Sequence, residues 1–193
     1  MANKDAPFGL KPVGSVGSAI QNGGQTQYSI ASGATTAIYM GDPVKMLNTG
    51  TITAAAAGDT ILGVFNGCFY TDPTSSKPTF SNRYPGSISA SDIVASVIDD
   101  PDAIFEVQSA ATSGVQQTVV GNNADIVYTA GNDQSGVSKV EISGTTAATS
   151  AQLRIVGVSS DPSNNTLGTG SDSANVNLLV KINEHFYATT VGV

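Results

Sequence analysis

Apolar and polar residues alternate with period two through much of this chain. The clearest run lies near the C-terminus, where Val176, Leu178, Val180 and Ile182 alternate with Asn177, Leu179, Lys181 and Asn183. An extended backbone points successive side chains to opposite faces, so this pattern predicts a strand. The segment 176–187 lacks Gly and Pro and would also suit a helix, but its period decides for a strand. Shorter runs rich in β-branched and aromatic residues predict strands at 28–30, 35–40, 44–47, 51–53 and 61–65. Turn residues separate them: Gly33, Gly41-Asp42-Pro43, Asn48-Thr49-Gly50 and Gly58-Asp59. Within 61–65, Gly63 predicts a bulge or a close backbone approach.

The same reading predicts a hairpin from 92–98 and 103–108, turned by Asp99-Asp100-Pro101-Asp102. Strands at 126–129, 137–142 and 152–158 follow. About ten short strands spaced by turn signals are the signature of a sandwich or barrel. The expected fold is therefore all-β, an antiparallel barrel or sandwich with an extended N-terminal arm and at most one short helix. That helix is placed at 111–120, with Thr112 or Ser113 as cap and Gly121 as stop.

Two segments lack the strand pattern. Residues 1–25 are punctuated by Pro7, Gly9, Pro12, Gly14, Gly17, Gly23 and Gly24, and predict an extended arm. Phe8, Leu10, Val13 and Ile20 are its apolar anchors, suited to lying on a partner. Residues 71–90, broken by Asp72-Pro73, Lys77-Pro78 and Tyr84-Pro85-Gly86, predict a long loop. Phe80, Arg83 and Tyr84 within it are a second set of candidate interface anchors, because Arg and Tyr recur at binding hot spots. The rest divides into a first β region at 26–110, carrying that loop, and a second at 111–193.

Composition narrows the function. Of 193 residues, 40% are hydrophobic, enough for a core, and only 12% are charged. The net charge is −7 and the 8 Lys and Arg are scattered singly. Nucleic-acid binders cluster such residues against phosphates, so no nucleic-acid partner is expected. No apolar run is long enough to span a bilayer as a helix, so no membrane partner is expected. The opening residues carry no secretion signal, which fits synthesis in a cytoplasm.

Groups that carry chemistry are few. There is one histidine, His185, and one cysteine, Cys68. Zinc sites need several such ligands, and a Ser-His-Asp triad would have to use His185 without a G-x-S-x-G elbow. His185 is read as a half-buried strand residue and Cys68 as a buried small hydrophobe. Asp99, Asp100 and Asp102, with Glu106, read as a solvated turn rather than a hydrolytic pair. Asn122, Asn123 and Asp125, or Asn132 and Asp133, offer oxygen ligands but not the EF-hand spacing. The expectation is a non-enzyme with no catalytic residue, metal, cofactor or small-molecule substrate.

Several stretches resemble virion structural proteins of marine and freshwater tailed phages. They are Met1 to Gly14, Ile38 to Lys45, Gly58-Asp59 with Ile61 to Val64, and Val180 to Phe186. That resemblance implies a capsid cement or decoration protein, a β-rich homotrimer on the exterior of an HK97-like shell. Its implied partner is the major capsid protein and its implied location the virion surface. No catalytic residues come with the family, and its interface residues are not defined by a motif. Phe8, Leu10, Val13, Phe80, Arg83 and Tyr84 are the capsid-binding candidates. The alternative is another virion component acting as a binding module: a head fibre, a knob or a tail protein.

Overall fold

A computed structural model describes residues 2–17, 24–147 and 149–188. Ile20, one of the expected anchors, lies outside the described residues. The fold is all-β, with antiparallel strand pairing in its sheets and helical structure limited to single 3₁₀ turns among the described residues. In chain order the strands are β1 (Lys11–Ser15), β2 (Thr26–Ser29), β3 (Ile38–Tyr39), β4 (Pro43–Met46) and β5 (Ile52–Ala54). Then come β6 (Gly63–Thr71), β7 (Pro78–Ser81), β8 (Arg83–Tyr84), β9 (Val94–Ile98) and β10 (Ala103–Gln108). The last are β11 (Asn123–Ala124), β12 (Ile126–Val127), β13 (Glu141–Ile142), β14 (Leu153–Val158) and β15 (Asn177–Ile182).

Two open sheets dominate. The first has the order β1-β10-β15-β14-β11; the second is β2-β9-β6-β4-β5, with β7 also paired to β6. Two small ribbons, β3-β8 and β12-β13, complete the set. The predicted hairpin at 92–108 is corrected here. Both strands exist, but β9 pairs with β2 and β6 while β10 pairs with β1 and β15. Asp99–Asp102 is an arch that carries the chain from the second sheet into the first. A four-residue connection with Pro101 and a bond from the Asp102 amide to Asp100 Oδ1 (2.8 Å) makes that corner.

Alternation explains the first core. Ala103, Phe105 and Val107 of β10, Leu153 and Ile155 of β14, and Leu178, Val180 and Ile182 of β15 all point to one side and are buried. Val64 and Ile98 reach the same cluster from the second sheet. The opposite side of the second sheet builds a separate cluster, with Phe65, Cys68, Tyr70, Ala95 and Val97 against Ile38 and Tyr84. Gly63 sits where β6 and the end of β9 approach closely: a Cβ there would overlap the Ile98 carbonyl and lie 2.8 Å from Val97 Cγ1. The close approach expected of Gly63 is present, while the bulge of this strand falls later, between Phe65 and Gly67.

Gln152 fastens the two sheets. Fully buried, it donates from Nε2 to the carbonyls of Ala56 (2.8 Å) and Asp59 (2.7 Å) and accepts the Ile126 amide at Oε1 (3.2 Å). A second polar cluster ties down the N-terminus. Gln108 Oε1 accepts the Ala6 amide, and both Gln108 and Asn164 donate to the Lys4 carbonyl. Asn3 Nδ2 donates to the carbonyls of Thr166 and Ala174.

The extended arm is therefore only partly as expected. Residues 11–15 form an edge strand, and Leu10 is 1% exposed in the first core. The loop at 71–90 is also corrected. β6 runs on to Thr71, a turn capped by Asp72 Oδ1 on the Thr74 amide (2.7 Å) reverses the chain, and β7 returns along β6. The expected helix at 111–120 contracts to one 3₁₀ turn, Gln117–Val119. Its β-branched Thr118, Val119 and Val120 resist a longer helix. The final strand stops at Ile182 rather than Tyr187; beyond it His185 bridges Ile61, and Phe186–Ala188 form a 3₁₀ turn.

Candidate functional site

Among the described residues, one end of the second sheet is left uncovered by the first. The face of this sheet that carries Val64 and Ile98 is buried against the first sheet at one end only. At the other end the register sets two adjacent cross-strand rows. One is apolar, with Val94 opposite Phe69 and Phe69 opposite Phe80; the other joins Gln27 to Ser96 and Ser96 to Gly67. They line a concavity of about 640 Å³ with Gln25, Asn66 and Asn82 at its rim.

The bulge at Gly67 creates this surface. Regular alternation from Phe65 would send residues 67 and 69 inward with it. The extra residue shifts the phase, so Cys68 and Tyr70 turn inward and Phe69 turns out. Gly67 has φ +144°, and a Cβ there would sit 3.0 Å from the Ser81 carbonyl. Only glycine takes that conformation without strain. The freed Phe69 ring meets Phe80 at 4.8 Å between centroids and 51° between planes. Phe80 is 82% exposed, an unusual state for so large an apolar side chain.

The six sequence candidates separate into three groups. Phe80 and Val13 present exposed side chains, Val13 at 46% on the edge strand β1. Phe8 is half-buried in a small cleft with Leu10, Met40 and Phe65. Leu10, Arg83 and Tyr84 are engaged internally. Tyr84 is fully buried and its hydroxyl donates to the Ala34 carbonyl (2.9 Å). Arg83 pairs with Asp133, which also accepts the Tyr39 hydroxyl (2.8 Å). Phe69, Gln25, Gln27, Asn66 and Val16 were not among the candidates. The one sequence signal for them was Gly67, an isolated glycine inside a strand.

The oxygen-rich loops spend their side chains on the fold. Asn123 donates to the Thr149 carbonyl (3.2 Å) and accepts Arg154 Nε (2.9 Å); Asn132 Oδ1 caps the Gln134 amide (2.8 Å). Asp125 Oδ1 accepts the Gln152 amide (3.1 Å). Among the described residues no three His, Cys, Asp or Glu side chains gather as metal ligands. No helix there is long and apolar enough to cross a membrane.

Burial perturbs several ionisable groups, Cys68, His185 and Asp42 among them. Cys68 is 6% exposed and burial pushes its thiol up to about 11, which leaves it protonated and inert. His185 is fully buried rather than half-buried. Burial lowers its pKa, opposed by nearby Asp99 and Asp100, and Nδ1 accepts the Tyr187 amide (3.1 Å). Asp42 is fully buried and pushed up to about 6 by burial, opposed by Ser138 and the Tyr39 amide. No protein-family model, curated protein or solved structure matches the chain at a significant level.

Proposed function

We propose that this chain is a structural virion protein that binds the outer surface of an HK97-like phage capsid and stabilises the shell, as a homotrimer contacting the major capsid protein. The observation that carries the reading is the edge strand β1. Its only strand partner among the described residues is β10, which puts it at the margin of the first sheet, the position from which a strand can pair with a partner's backbone. Val13 and Val16 on or beside that edge are 46% and 43% exposed. Lys11 and Glu106 stand opposite one another in the adjoining register. The sequence resemblance supports the same reading.

The mechanism needs no chemistry. A ligand that favours the assembled shell over separated subunits stabilises assembly by mass action. Both valines are already more than half buried, so covering the remainder gives roughly 1–3 kcal/mol per copy before ordering costs. Three linked copies then multiply a modest contact through effective concentration, and closed cyclic symmetry suits a three-fold position.

The test uses point variants. Deleting residues 2–14 would remove Leu10 from the core and β1 from its sheet, mixing folding with docking. Val13→Asp with Val16→Asp alters exposed positions and should leave the fold intact. Shells stripped of this protein are mixed with either form and sedimented. The reading predicts at least about a tenfold loss of retained variant. Full retention of a folded double variant would remove β1 as the docking edge. The runner-up reading, a head fibre, knob or tail component acting as a binding module, is favoured by the open Phe80 concavity.

A further inference from the structure

We propose that the concavity at the open end of the second sheet is a binding site for a neutral oligosaccharide. This does not depend on the capsid reading; it concerns a different face of the molecule.

The chemistry of the lining carries the proposal. Phe80 offers an almost fully exposed ring, held in place by the Phe69 ring at 4.8 Å. An aromatic face is electron-rich and attracts the C–H-covered face of a pyranose. Beside it runs a polar row whose residues carry amides and hydroxyls. Gln25, Gln27 and Asn66 make no side-chain hydrogen bond within the protein among the described residues, so their groups are available. Each amide both donates and accepts, which matches sugar hydroxyls that do the same. Asn82 differs, since its Nδ2 is spent on the Ser135 carbonyl (2.8 Å).

Charge then narrows the ligand. The chain carries 23 Asp, Glu, Lys and Arg residues, yet none lines this concavity. The only ionisable lining group is Cys68, whose thiol is buried and protonated. An anionic glycan, nucleic acid or charged peptide would find no counter-charge here. The size fits as well: about 640 Å³ lies within the range of ligand clefts, and it is open along the sheet, as a chain-like ligand requires. Gly67, with no side chain, and Ser96, with a short one, keep the row beside Phe69 and Val94 in low relief.

The experiment is a heteronuclear NMR titration of the full chain. The probes are cellohexaose, maltohexaose, laminarihexaose, mannohexaose and N-acetylchitohexaose, with an alginate hexamer as the anionic control. At least one neutral probe should give saturable shifts at the Gly67, Phe69, Phe80, Val94 and Ser96 amides. Phe80→Ala should weaken that binding about tenfold or more, and Gln27→Ala about threefold to tenfold. Phe80→Trp should retain it, and Val13→Asp should leave it unchanged. Four results would each overturn the assignment. They are no shift with any neutral probe at about 10 mM, shifts that survive Phe80→Ala, equal binding of the alginate hexamer, or loss of shell retention in Phe80→Ala. The last would assign this face to the capsid instead. Loss of shell retention confined to the β1 variants would leave the sugar site standing.

Discussion

Replacing Asp42 by Asn should stabilise the protein at neutral pH and leave its stability in acid unchanged. Asp42 lies where four segments meet. Its amide donates to the Tyr39 carbonyl, its carbonyl accepts the Phe65 amide, and its neighbour Gly41 accepts the Leu10 amide. The carboxylate is fully buried, Oδ2 accepts the Tyr39 amide (2.9 Å), and no cation pairs with it among the described residues. Oδ1 has no hydrogen-bond partner. In the unfolded chain the group titrates near 3.8, and in the fold near about 6. The fold therefore holds the proton more tightly than the unfolded chain. Stability from this group is full below about pH 4, falls as pH rises towards about 6, and is level above that. At about 1.4 kcal/mol per tenfold change, the charged form costs about 3 kcal/mol at neutral pH. Asn keeps an oxygen for the Tyr39 amide and carries no charge. Urea unfolding of both proteins across pH 4 to 8 reads the difference. The variant's advantage should grow from near zero in acid to about 2–3 kcal/mol at neutral pH. A difference that does not vary with pH, or a variant less stable at neutral pH, would refute the reasoning.

Three further outcomes follow from the packing. Gln152→Leu leaves the buried Ile126 amide without its side-chain acceptor and the Asp59 carbonyl without its side-chain donor, and denaturant unfolding should show a loss of about 1–3 kcal/mol. Gly63→Ala drives a methyl into the Ile98 carbonyl and within 2.9 Å of Asp99 Cα, backbone atoms that cannot yield. Its thermal midpoint should fall by an amount equivalent to about 2 kcal/mol or more. The Cys68 thiol should resist an aromatic disulfide reagent at mildly alkaline pH in the native protein and react at once in denaturant; rapid native reaction would contradict its burial.

The strands of the first sheet were the most legible part of the sequence. In β10 and β15 strict alternation puts Phe105, Val107, Leu178 and Val180 on one side, and the core forms there. Alternation says which residues share a face, not which strands pair. That is why 92–108 read as a hairpin while its two strands belong to different sheets. Leu10 read as a free anchor because the groups that bury it, Gly41 and Val64 among them, are remote in sequence. Tyr84 and Phe80 show the same limit at the site. The polar tyrosine is in the core and the apolar phenylalanine is in solvent. The reason lies in β7, which returns along the outer half of β6 and turns Phe80 to the open face. Phe69 was hidden by one residue: without the bulge at Gly67, period two would bury it.

The most direct test of capsid attachment is the copy number and position of this chain in purified phage particles, read by quantitative protein analysis together with electron microscopy. A shell-stabilising role predicts copies in the hundreds, with density for paired β-sheets outside the shell and the β1 edge turned towards the capsid subunits. A handful of copies at the tail, density inside the shell, or no copies at all would contradict it.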